Sequence, residues 1–140
     1  MKIELKQQPF DPWRELQQYQ SELEKSRGLI GAASVFVGTM RDFNEGDDVN
    51  NMFLEHYPEM TQQYLLKIAT NAIDQWSLQN ALILHRFGKI QPGENIVLIG
   101  AWSPHRDEAF LACRFMIEEL KKRAPFWKKE TLADNSSRWV

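Results

Sequence analysis

A single cysteine, Cys113, is the only thiol in this chain of 140 residues. One thiol excludes a disulfide scaffold and any cysteine-based zinc site. Cys113 falls where a small apolar residue is expected in a helical stripe, so it reads as packing rather than chemistry. Long hydrophobic runs are also lacking. None approaches the roughly 20 residues needed to span a membrane, and the opening Met-Lys-Ile-Glu-Leu-Lys is charged too early for a signal peptide. A cytoplasmic protein is expected. Neither sign of charge dominates: 17 Lys and Arg face 19 Asp and Glu, a net charge of −2. That leaves no broad basic face for a general nucleic-acid binder. The seven glycines form no phosphate-cradling loop. Internal repeats and low-complexity stretches are absent as well. Three histidines, His56, His85 and His105, lie far apart with no partner at ligand spacing. No metal and no cofactor are proposed, and His56 and His85, in apparent strands, read as structural.

What is present suits one ordinary core. With 43% hydrophobic content the chain can bury a single domain, residues 1–140. Met1 to Lys6 alternates like a strand, and Asp11 before Pro12 starts a helix whose apolar face is Trp13, Leu16, Tyr19 and Leu23. Gly28 ends that unit. Ala33 to Gly38 and Met52 to Tyr57 read as strands flanking a polar loop. From Pro58 a second helix carries Met60, Tyr64, Ile68, Ala72 and Trp76 every four residues, widened by Leu65, Ala69 and Ile73. Ala81 to Phe87 and Ile96 to Trp102 are apolar enough for interior strands, joined as a hairpin through Gln91-Pro92-Gly93-Glu94. A third helix places Ala109, Ala112, Cys113, Met116, Ile117 and Leu120 on one side. Three helices against an antiparallel sheet make an α+β sandwich.

The stretch from Leu120 to Glu130, Leu-Lys-Lys-Arg-Ala-Pro-Phe-Trp-Lys-Lys-Glu, gathers five cations around a proline and two aromatics. Lys121 falls on the border of the third helix's stripe, so its stem should be packed. Pro125 cannot continue the helix. If the chain beyond it is extended, Phe126, Lys128 and Glu130 share one side, and Trp127 and Lys129 the other. Spacing alone leaves two readings open. A lysine walled by apolar groups has a lowered pKa and becomes a proton shuttle or nucleophile. Equally, the segment can be a solvated basic helix end with lysines guarding a strand edge.

Other cations stand at element boundaries. His105 and Arg106 open the third helix, where free backbone N–H groups favour an anion. Arg41 follows an apolar strand and begins the loop Arg-Asp-Phe-Asn-Glu-Gly-Asp-Asp, polar and glycine-bearing enough to move. The many aromatics read mostly as core, although Trp102, Phe126, Trp127 and Trp139 lie near these elements.

Five blocks in register carry a family resemblance. They are Phe36-Val-Gly-Thr-Met-Arg41, Leu54-Glu-His-Tyr-Pro-Glu-Met60, His85-Arg-Phe-Gly88, His105-Arg-Asp-Glu-Ala-Phe110 and Leu120 to Glu130. Together they resemble the large, catalytic subunit of molybdopterin synthase over nearly the whole chain. The resemblance implies an α/β hammerhead-like fold and a sulfurtransferase of molybdenum cofactor biosynthesis. Such an enzyme converts cyclic pyranopterin monophosphate to molybdopterin with thiocarboxylate sulfur from a small ubiquitin-like carrier subunit ending in Gly-Gly. It further implies Lys121 and Lys128 as catalytic residues, and Thr39, Met40, Arg41, His105, Arg106, Lys129 and Glu130 as the substrate pocket. A homodimer with one carrier at each end, a heterotetramer, is implied as well. Many members run on past the terminal Trp-Val with a basic residue that enters the neighbouring protomer's pocket, and Arg138 is the candidate substitute. The alternatives are a non-catalytic adaptor for a ubiquitin-like tail and an anion-binding module.

Overall fold

The computed structural model describes residues 1–44, 47–123 and 126–140, and the side chains of these except Phe43, Asn44, Asp47 and Trp127. Its framework is a four-stranded sheet in the order β1 (Lys2–Lys6), β5 (Asn80–Arg86), β7 (Asn95–Ser103), β2 (Ala32–Thr39). β5 and β7 are antiparallel, as are β7 and β2, whereas β1 runs parallel to β5. The sheet is covered on both faces, which is why its central strands are almost continuously apolar. Alternation sends Ile83, Val97 and Ile99 to one side and Leu82, Leu84 and Leu98 to the other.

The first side packs on two helices, α2 (Pro58–Trp76) and α3 (Arg106–Arg123). α3 presents Ala109, Ala112, Cys113, Met116, Ile117 and Leu120, the expected stripe. In α2 the buried residues are Thr61, Leu65, Ile68, Ala69 and Ala72, while Met60 is exposed. The expected stripe is therefore rotated by about one residue, because the small residues Ala69 and Ala72 allow the closest approach to the sheet. The opposite side is closed by α1 (Pro12–Ser21), where Tyr19 packs on Trp102 with ring centroids 5.5 Å apart. Asp11 caps α1, its carboxylate accepting from the N–H groups of Trp13 and Arg14. Trp13, expected on the inner face, is exposed instead. The space under α1 is taken by Tyr19, Leu16 and Leu23, with Phe10 packed beside them.

A second sheet stands against one end of the first. It contains β3 (Phe43–Asn44), β4 (Asp47–His56), β8 (Phe126–Leu132) and β9 (Ser137–Trp139), with β6 (Gly88–Ile90) on β4. β4 starts earlier than expected, and the polar segment beginning at Arg41 is largely a short ladder pairing Phe43 with Asp48. β6 interrupts the expected hairpin between β5 and β7. Gly88, at φ +86°, turns the chain out of the first sheet so that residues 88–90 can pair with Met52 to Leu54. Positions 45–46, the break at Ala124 and Pro125, and the direction of the Trp127 side chain lie outside the described residues. Among the described residues no helix is long and apolar enough to cross a membrane.

Candidate active site between the two sheets

A cavity of about 660 Å³ opens where the last turn of α3 and the ends of β2 and β7 meet the second sheet. Its walls come from distant parts of the sequence. β2 runs from Ala32, paired with Ser103, to Thr39, paired with Asn95, so its end delivers Thr39, Met40 and Arg41 to the cavity. The turn before β7 holds this corner, since Met40 N–H donates to the Glu94 carbonyl and Gly93 N–H to the Met40 carbonyl. α3 runs back along the sheet and ends with Leu120 and Lys121 on the opposite wall. β8 contributes Phe126, Lys128 and Glu130 from one face of its pleat.

Lys121 and Lys128 thus arrive from different elements, one at a helix end and one on a strand. Both are exposed, but the surface they expose lines the cavity. Burial by the walls pushes the Lys128 ammonium below the ordinary lysine range. The positive charge of Lys121 lowers it further, and the Glu130 carboxylate opposes. Glu130 is buried and accepts from Arg138 Nε at 3.2 Å, an interaction that ties β8 to β9. Lys128 is held at its backbone: it pairs with Leu54 across the ladder, and its carbonyl accepts from Val140 N–H.

The strand alternation separates Lys129 from Lys128. Lys129 lies on the other face of β8, its Nζ 5.7 Å from the centroid of the exposed Trp139 ring. His105 and Arg106 are also remote from the cavity within one chain. They sit at the first turn of α3, beside Ser103, whose hydroxyl accepts from His105 N–H at 3.3 Å. Fifteen helical residues separate Arg106 from Lys121, on the order of 22 Å. The fold therefore brings together Thr39, Met40, Arg41, Lys121, Lys128 and Glu130, and holds His105, Arg106 and Lys129 apart from them. Arg138 meets the group at Glu130. Of the aromatics, Phe126 lines the cavity, whereas Trp102 is core beneath α1.

One cavity residue escaped the sequence reading. His85, expected to be structural, lines the cavity at the end of β5, although only 4% of its surface is exposed. Its Nδ1 lies 2.7 Å from the Arg86 carbonyl, and its ring stacks on Phe126 with centroids 4.0 Å apart. Burial drives its pKa down to about 4 against the pull of that carbonyl, and the Lys128 and His56 charges act in the same direction as burial. The available signal was topological. His85 pairs with Val97 at the strand end where β2 delivers Thr39, and a residue there faces the ligand side of a sheet.

Comparison with known proteins gives this geometry a family. The family model described as MoaE protein matches residues 5–123. A molybdopterin synthase catalytic subunit from Pseudomonas aeruginosa is 50% identical over 140 residues, covering all of this chain and 90% of that one. The crystal structure of molybdopterin synthase from Staphylococcus aureus superposes with a TM-score of 0.84 at 30% identity, covering 97% of this chain and 94% of that chain. A Helicobacter pylori structure, described as a complex of subunits 1 and 2 of molybdopterin-converting factor, shares the fold alone. Its TM-score is 0.80 at 23% identity, over 99% and 89% of the two chains. By sequence and by fold, this chain belongs to the MoaE family of molybdopterin synthase catalytic subunits.

Proposed function

We propose that the cavity carries out sulfur transfer to cyclic pyranopterin monophosphate, with sulfur delivered as the C-terminal thiocarboxylate of a small ubiquitin-like carrier. The observation that carries this reading is the convergence of Lys121 and Lys128, from two elements, on one pocket in which the charge of Lys121 disfavours that of Lys128. The carrier's sulfur bonds to a substrate carbon as that carbon's bond to oxygen breaks, the oxygen leaving protonated as water or remaining on the phosphate. Water then cleaves the acyl–sulfur bond, leaving the sulfur on the substrate and a carboxylate on the carrier. Two rounds give the dithiolene. Lys121 stabilises the oxyanion formed at the carrier's terminal carbonyl or briefly takes the acyl group, and Lys128, whose ammonium is already weakened, moves protons at the reacting carbon.

Thr39, Met40, Arg41 and Glu130 bind substrate in the same chain. His105 and Arg106 are too far from the cavity of their own chain to share it, and Lys129 lies on the other face of β8. Their role as phosphate ligands requires a second copy, in keeping with a homodimer that carries one sulfur carrier at each end. The Helicobacter pylori relative, solved as a complex of two subunits, supports such a partner. A cytoplasmic location fits this chemistry.

Reconstitution tests the reading. Purified protein, thiocarboxylated carrier and precursor should yield dithiolene product, and Lys121→Ala or Lys128→Ala should lower the single-turnover rate on the order of a hundredfold. Rates within a few-fold of the native protein would refute the assigned roles.

A further inference from the structure

The cavity is rich in hydrogen-bond donors and poor in acceptors. The charged groups of Arg41, Lys121 and Lys128 can only donate. The side-chain oxygens beside them are few: the Glu130 carboxylate, engaged by Arg138, and the Thr39 hydroxyl, which donates its proton to Asn95 Oδ1 at 3.4 Å and keeps its lone pairs. A phosphorylated nitrogen heterocycle presents the reverse problem, since its anion is served by these cations but its ring N–H and O–H groups need lone pairs.

His85 supplies one. The Arg86 carbonyl can only accept, so the nitrogen 2.7 Å from it, Nδ1, carries the proton and Nε2 keeps its lone pair. Nε2 has no hydrogen-bond partner among the described residues. Phe126, flat against the ring with an interplanar angle of 19°, holds its plane, and the Arg86 carbonyl holds its orientation within that plane. His85 thus offers the cavity it lines a fixed, neutral acceptor.

We propose that His85 Nε2 accepts a hydrogen bond from a ring N–H or O–H of the bound substrate, making His85 the residue that selects a pterin-like donor edge beside the anion. The proposal rests on the cavity being the pterin site. It separates His85 from the lysines: its loss weakens binding of substrate rather than the chemical step.

Calorimetric titration with cyclic pyranopterin monophosphate, on the intact protein with its carrier, tests this through paired substitutions. His85→Gln places an amide oxygen near the position of Nε2 and should bind within about threefold of native. His85→Asn keeps a donor toward the Arg86 carbonyl but has nothing at Nε2. It should bind about tenfold more weakly and raise KM with little change in kcat, as expected for one lost hydrogen bond in a desolvated site. In parallel, the ¹⁵N resonance of Nε2 should move on adding the precursor and stay in place with inorganic phosphate. Native affinity in His85→Asn, or a stationary resonance at saturation with precursor, overturns the proposal while leaving the pterin site intact. Failure of the native protein to bind the precursor overturns both.

Discussion

Acidification should destabilise this protein through His85 before its carboxylates become the main concern. The imidazole sits at about 4 in the folded chain against an ordinary value of 6.5. A depressed folded pKa means that the unfolded chain takes up the proton first. The stabilisation is therefore complete above 6.5 and is lost as the pH falls through that value toward 4. At about 1.4 kcal/mol per pKa unit, the whole shift amounts to roughly 3 kcal/mol, of which about 2 kcal/mol disappears between pH 7 and 4.5. The groups facing the ring are Lys128 on β8 and His56 on β4, and both oppose its protonation. Burial also lowers His56, which adds loss in the same window. Urea unfolding of the native protein and His85→Gln, at both pH values and one fixed protein concentration, isolates the His85 share. The native protein should lose about 2 kcal/mol more than the variant. Parallel losses would show that charging this ring carries no such cost, and the account of its neutrality would fall.

Two further outcomes follow from the packing. Cys113→Ser should leave sulfur transfer within twofold of native, because Cys113 lies in the α3 stripe away from the cavity. Stability should fall by about 1 kcal/mol as a hydroxyl replaces the buried thiol. A large loss of rate with the fold intact would instead make the cysteine a sulfur carrier. Gly31→Ala should cost about 2 kcal/mol or more in thermal or urea unfolding, since the added methyl group meets the Pro104 carbonyl oxygen at the junction of β2 and β7. An unchanged midpoint would contradict that contact.

The parts of the structure governed by short-range rules were readable in the sequence. Asp11 and Pro12 start α1, Pro58 starts α2, and the spacing from Ala109 to Leu120 buries the residues it names. Alternation after residue 125 also put Phe126, Lys128 and Glu130 on one side. What could not be read depends on partners distant in sequence. Trp13 is exposed because the space under α1 is filled by Tyr19 and Trp102, and no local pattern reports that. β6 leaves the first sheet to pair with β4, a choice made by a strand some 35 residues earlier. The site divided in the same way. Lys121 and Lys128 could be placed from helix phase and strand parity, but the separation of His105 and Arg106 from them follows from α3 running antiparallel to β7. His85 was missed because an apolar strand conceals which of its ends opens on a hollow.

The sequence offers two adjacent lysines, at 128 and 129, of the same chemical type. Only the pleat of β8, registered on β4 by the pairing of Leu54 with Lys128, decides which of them enters the pocket. A slip of one position would exchange their places and turn Glu130 outward as well. The ladder between β8 and β4 is accordingly a ruler read in single residues. Removing or adding one residue within β8 ahead of Lys128 would leave the amino-acid inventory nearly unchanged while presenting the wrong amine to the pocket, so this strand should tolerate substitutions far better than changes in length.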